Sequence, residues 1–291
     1  MGKNRRFYGP ADLHLHSVRS DGTEEPRDVI RAAHDAGMRT VALTDHDTTA
    51  GWDEAAEAAS ERALTFLPGM ELSAREGWRS VHMLAYLFDP LDAALTSELA
   101  RIRGDRIGRA ERIVANIGRD YDLTWDDVLA QTSAGATVGR PHIADALVAR
   151  GIAADRAAAF AGVLHPRESY YESHYAPDPR AAVRLIVAAG GVPIIAHPAP
   201  AGRDRMLPVP VIEELLDLGL AGFEIEHREN TEAGKARLRA LARRHDLIVT
   251  GSSDYHGAGK PNIPGENTTS DEMVARIIER GRGSAPVFGA D

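Results

Sequence analysis

Asp12-Leu13-His14-Leu15-His16-Ser17 sets two histidines two residues apart. In an extended strand side chains alternate, so both imidazoles face one side. Asp12 precedes the pair, and Asp21 follows within Ser20-Asp21-Gly22. Neutral imidazole nitrogens and carboxylate oxygens together suit a borderline divalent cation such as zinc, manganese or iron(II). A lone His-x-His is more often a solvated strand. This chain differs by recurrence: Asp45-His46-Asp47, Glu71, His82, His197, His227 and Asp254-Tyr255-His256 follow, most of them where an apolar run ends.

These residues need a frame that brings them together. The chain has 291 residues, 43% of them hydrophobic, enough for one large domain or a domain with an insertion. It has no cysteine, so thiolate sites and disulfides are excluded and a metal must be held by His, Asp and Glu. The net charge of -9 opposes loose binding to long nucleic acid. Divalent cations in a cleft would reverse the sign locally and admit a phosphate. No secretory signal or membrane span is expected, and the expected location is cytoplasmic.

Short apolar strands alternate with helices in the first part. The strands are 38–43, 64–67 and 80–88, and the helices 23–36, capped by Thr23, and 50–63. From Pro90 to about Gly190 strand signals are scarce. A helical insertion is expected at 99–178, between two parts of one domain, 1–98 and 179–291. Alternation then resumes through strands 192–196, 221–225 and 247–250 and a last helix at 270–280. Strands alternating with helices imply an α/β fold with a parallel sheet. A (β/α) barrel would gather residues at the carboxyl ends of its strands into one mouth.

The pieces Asp-Leu-His-Leu-His-Ser, Thr-Asp-His-Asp, Gly-Met-Glu-Leu-Ser, Val-His-Met-Leu-Ala-Tyr, Ile-Ile-Ala-His-Pro and Ser-Ser-Asp-Tyr-His-Gly resemble, in this order, the polymerase and histidinol phosphatase (PHP) superfamily of metal-dependent phosphoesterases. The resemblance runs from residue 12 to about 265. It implies a distorted seven-stranded (β/α) barrel holding two to three divalent ions, manganese, zinc or iron. It implies a first ion on His14, His16, Glu71 and Asp254. A second would share Glu71 and add His82 and His197, and a third would take Asp21, His46 and His256. An aspartate at 21 is typical of the branch acting on small molecules and favours a harder ion such as manganese. Bound ions lower the pKa of a shared water, so that hydroxide forms at neutral pH. Asp47 and Ser253 are expected to orient ligands.

Gly139-Arg140-Pro141-His142 resembles the Gly-Arg-x-His of the nucleotide phosphatases, which makes Arg140 a bidentate phosphate clamp. His142 either contacts substrate or packs and caps. Glu226-His227 resembles a family element in which the histidine bonds the phosphate, protonates the leaving oxygen or orients a neighbour. Arg203 and Lys260 are candidates for a second phosphate. Tyr170 and Tyr171, flanked by His165 and His174, could stack on a base, although packing is the commoner use.

The expected function is hydrolysis of a phosphate monoester on a small nucleotide, a nucleoside 3',5'-bisphosphate or a 5'-monophosphate such as AMP. Alternatives are a 5'-3' exoribonuclease on short RNA, a phosphatase for a metabolite such as histidinol phosphate, and, least favoured, a non-catalytic module. The expected partner is the nucleotide alone, with no membrane, long nucleic acid or obligate protein.

Overall fold

The computed structural model describes residues 7–133, 136–173, 175–201 and 206–289. In chain order its elements are β1 (Ala11–Leu15), α1 (Pro26–Asp35), β2 (Thr40–Leu43), α2 (Trp52–Glu61), β3 (Thr65–Phe66), β4 (Gly69–Glu76) and β5 (Arg79–Tyr86). Four helices follow without a strand: α3 (Ala93–Ile117), α4 (Trp125–Leu129), α5 (Arg140–Ala149) and α6 (Arg156–Ala161). The rest is α7 (Pro179–Ala188), β6 (Val192–Ile195), α8 (Val209–Asp217), β7 (Gly222–Glu226), α9 (Glu232–His245), β8 (Ile248–Gly251), α10 (Asp271–Arg280) and β9 (Val287–Phe288).

The strands form an α/β fold of two sheets, ordered β1-β2-β3-β9 and β4-β5-β6-β7-β8. They meet at single bridges, Leu15 with Tyr255 and His46 with Glu71. The ladders therefore describe two sheets sharing a rim, where one closed seven-stranded barrel was expected. Within the sheets the ladders also break register, between Asp12 and Leu15 in β1 and between Glu224 and Glu226 in β7. Nor is pairing parallel throughout: β4, β5 and β6 run antiparallel in sequence. For β4 and β5 the cause is the two-residue turn Gly77-Trp78, whose glycine adopts φ 59, as tight hairpin turns require. The stretch from Gly69 to Glu71, expected to end a strand, opens this hairpin.

Capping explains most helix starts. Asp92, Thr124, Asp155, Asp178, Thr231 and Ser270 each accept a backbone N–H of the first turn. Thr23 does not cap as expected. Helix α1 starts at Pro26, and the Thr23 hydroxyl donates to the His256 carbonyl and accepts from Ala258 N.

Helix α3 spans two cores. Leu95, Leu99 and Ile102 pack with β4, β5 and α7, whereas Ala110, Ile113 and Val114 pack with α5 and α6. Among the described residues no helix is long and apolar enough to cross a membrane.

Candidate metal centre

Strand alternation aims the first ligands. Leu13 and Leu15 enter separate apolar clusters, leaving His14 and His16, both fully buried, on the opposite face. Met70 and Leu72 likewise enter the core, and Glu71 between them points to the rim, where it is 1% exposed. Its two oxygens collect five imidazoles. Oε2 lies 3.2 Å from His14 Nε2, 3.1 Å from His16 Nε2 and 3.3 Å from His46 Nδ1. Oε1 lies 2.7 Å from His82 Nδ1 and 3.3 Å from His197 Nε2.

Asp254 closes the other side, with Oδ1 3.5 Å from His14 Nε2 and 3.4 Å from His16 Nε2. Asp21 lies 3.2 Å from His256 Nε2 and 3.8 Å from His46 Nε2. All nine residues named for ions thus converge. His197 (φ 27) and Asp254 (φ 55) hold left-handed backbone, which a non-glycine residue adopts only where its surroundings over-determine it.

This donor set fits divalent cations. Two donors about 2.1 Å from one tetrahedral ion stand roughly 3.4 Å apart, close to most of these separations. Among the described residues three groups have ligand atoms within 4.8 Å of one another: His16, Asp21, His46 and His256; His14, His16 and Glu71; His46, Glu71 and His82. Buried nitrogens His16 Nε2, His46 Nδ1, His82 Nδ1 and His256 Nε2 make no hydrogen bond, a costly state unless a cation is their partner. Tautomers agree. His256 Nδ1 donates to the Asp254 carbonyl at 2.8 Å, which leaves Nε2 a bare donor of electrons.

Electrostatics keep the acids ionised and pull the imidazoles in both directions. Burial alone would raise the Glu71 carboxyl, but His46, His82 and His14 hold it well below the usual carboxylate range. Burial likewise works against Asp254, which Lys260, His256 and His14 hold low. Burial and the adjacent His256 push His16 down to about 4. His14 goes the other way: burial would lower it, yet Glu224, Glu71 and Asp254 raise it.

The remaining expected residues divide. Arg140 lines a cavity of about 570 Å³ together with His82, His197 and Tyr171. Its guanidinium lies 5.6 Å from the Tyr171 ring and donates to the Leu164 carbonyl. His142 is a cap, its Nδ1 accepting from Gly139 N at 3.1 Å. His227 Nδ1 accepts from Glu229 N at 3.2 Å, so Nε2 carries the proton, and it faces Asp254 Oδ2 at 3.5 Å. Lys260 Nζ pairs with the same Asp254 oxygen at 2.7 Å. Arg203 and His174 lie outside the described residues. Tyr170 donates to Asp120, away from the cavity. His165 only caps a turn at Arg167.

Sequence reasoning missed three contributors. Glu224 accepts from His14 Nδ1 and from His197 N, both at 2.9 Å, and so orients two ligand residues at once. Burial would raise its carboxyl, but His14, His227 and His197 bring it down to about 2. The acid singled out instead, Glu226, pairs outside the site with Arg239 and Lys235. Arg106 is the second: it pairs with Asp47 at 3.0 Å. Asp47 donates its N–H to the Glu71 carbonyl at 3.1 Å, while its side chain accepts from Ser73 N and Oγ and docks α3 on the His46 loop. Arg156, the third, donates to the Asp21 carbonyl at 3.1 Å and anchors α6 on the other flank. Ser253 N donates to Asp12 at 3.0 Å, and its carbonyl accepts from Asn262.

Two sheets that raise imidazoles and carboxylates to one rim beside an arginine-bearing cavity define a metal-dependent phosphoesterase. Comparison with known proteins gives the family. A PHP domain matches residues 12–132. A 3',5'-nucleoside bisphosphate phosphatase of Chromobacterium violaceum is 34% identical over 270 residues, covering 92% of this chain and 95% of that one. A 5'-3' exoribonuclease of Haemophilus influenzae is 32% identical over 250 residues, covering 84% and 89%. A crystal structure of a candidate metal-dependent phosphoesterase from Bifidobacterium adolescentis superposes with a TM-score of 0.91 at 44% identity, covering 94% and 98%. The chain belongs to the PHP family of metal-dependent phosphoesterases.

Proposed function

We propose that this enzyme removes a phosphate from a small nucleotide, a nucleoside 3',5'-bisphosphate or a 5'-monophosphate such as AMP. One observation carries the reading: a cavity of about 570 Å³ runs from His82 and His197 to Arg140. That volume suits a single nucleotide, and its two ends suit the phosphate and the anion clamp. The Chromobacterium relative supports the bisphosphate.

His14, His16, Glu71 and Asp254 would hold one ion, Glu71, His82 and His197 a second, and Asp21, His46 and His256 a third; manganese, zinc and iron all suit them. When bound, such ions acidify water and offset phosphate charge. The chain does the rest. Glu71 spaces the imidazoles, and Glu224 fixes the His14 tautomer. His227 presents its Nε2–H to the leaving oxygen. Arg140, backed by Tyr171, clamps phosphate oxygens, and Lys260 adds positive charge beside Asp254. Helices α3 to α6 act as a cap that shelters the cavity, pinned by Arg106 and Arg156. The net charge of -9 disfavours long polyanions.

The second reading is trimming of short RNA from its 5' end, favoured by the Haemophilus relative. Phosphate release is to be compared, with manganese added, on adenosine 3',5'-bisphosphate, AMP, histidinol phosphate and a short oligoribonucleotide. The proposal expects the bisphosphate or AMP to lead. A lead for histidinol phosphate ends the nucleotide reading, and a lead for the oligomer installs the second.

A further inference from the structure

Trp78 stands out on this surface. It sits at the tip of the β4–β5 hairpin and is 67% exposed, although its indole is the largest apolar side chain the chain could bury. Its position is fixed. The turn has two residues, Glu76 and Arg79 pair across it, and Gly77 holds φ 59. The Arg79 guanidinium lies 4.7 Å from the indole centre, a cation–π contact that backs the ring. Core packing does not explain Trp78, because it belongs to no apolar cluster among the described residues.

What it does line is the active-site cavity, with Ser80, His82, His197, Arg140 and Tyr171. Trp78, in the turn, precedes His82 by four residues, of which Arg79 to His82 form the strand. At about 3.3 Å per strand residue, the two backbone positions stand roughly 10–13 Å apart. That interval accommodates a phosphate at the metal-facing end, a ribose between, and a flat ring at the tip. A nucleobase presents such a ring, and stacking on an indole tolerates any base because every base has a π-face.

We propose that Trp78 is the platform on which the substrate's base stacks, and that it sets the preference for base-bearing over base-free phosphate esters. The proposal rests on the nucleotide reading above and names the residue that enforces it. Arg140 and the metal-facing residues grip phosphate; Trp78 recognises what the phosphate is attached to.

The test compares kcat/KM for adenosine 3',5'-bisphosphate with kcat/KM for ribose 5-phosphate, using the manganese-loaded full chain. In Trp78→Ala the ratio of the two should fall at least tenfold, mainly through KM for the nucleotide, while Trp78→Phe should retain most of it. An unchanged ratio in Trp78→Ala overturns the proposal. Binding is read independently: adenosine 3',5'-bisphosphate should quench tryptophan fluorescence in the wild type and not in Trp78→Phe. Absence of quenching in the wild type, or equal quenching in both, also overturns it. If the wild type releases phosphate from neither ester, the phosphatase reading fails, and the quenching result alone decides the role of Trp78.

Discussion

His14 and Glu224 act as a unit. The carboxylate at 2.9 Å from Nδ1 fixes the tautomer, turns the ring and raises the basicity of Nε2. The same carboxylate accepts from His197 N, so one buried acid sets two corners of the site. Glu224→Gln keeps the shape and removes the charge. Metal affinity is expected to fall about 10–100-fold, with unfolding still cooperative; isothermal titration with manganese reads it. Arg140 is a different case, because it touches no metal-facing residue. Arg140→Ala should raise KM for the nucleotide or cut kcat sharply while metal content, read by elemental analysis, stays constant. Loss of metal in that variant would make Arg140 structural.

Elements decide which side chains arrive at the rim, and two glycines expose the constraint. A Cβ on Gly222, in β7, would lie 2.0 Å from the Ile248 carbonyl of β8. Gly222→Ala must spread the two strands that carry Glu224 and lead to Asp254, at a cost of roughly 3 kcal/mol in a denaturant melt. Gly104, inside α3, meets nothing within 4 Å, and Gly104→Ala should stabilise by about 0.5–1 kcal/mol through helix propensity. The same local rules show why much of the site was legible in the sequence. His14 and His16 obey strand parity, and His46, His197 and Asp254 follow apolar runs that became buried strands. Glu224 was hidden inside Phe223-Glu224-Ile225. Parity places Glu224 and Glu226 on one face, but the register break between them turns Glu226 out to Arg239. That break depends on pairing with β8, which no local pattern carries. The antiparallel hairpin was hidden for the opposite reason. Glycine and proline around Pro68-Gly69 read as the end of a strand, whereas Gly77 makes the actual turn.

At the scale of the whole molecule, the charge distribution sets the behaviour. The chain concentrates Asp21, Glu71, Glu224 and Asp254 with six ring-nitrogen donors in a rim that is only partly open to solvent. Unpartnered, such a rim costs stability; a cation that binds only the folded state repays it by mass action. Manganese at 100 times its Kd should stabilise the fold by about 2.7 kcal/mol, and a chelator should lower Tm correspondingly, as thermal melts will show. Arginines of α3 and α6 reach this negative rim, Arg106 at Asp47 and Arg156 at the Asp21 carbonyl. Residues from both sheets are placed to hold divalent ions for phosphate-ester hydrolysis. The most direct test is phosphate release from adenosine 3',5'-bisphosphate by chelator-treated protein, measured beside its metal content and repeated after adding manganese back. Release is expected to vanish with the metal and to return with it. Undiminished release from protein shown to be metal-free would contradict it.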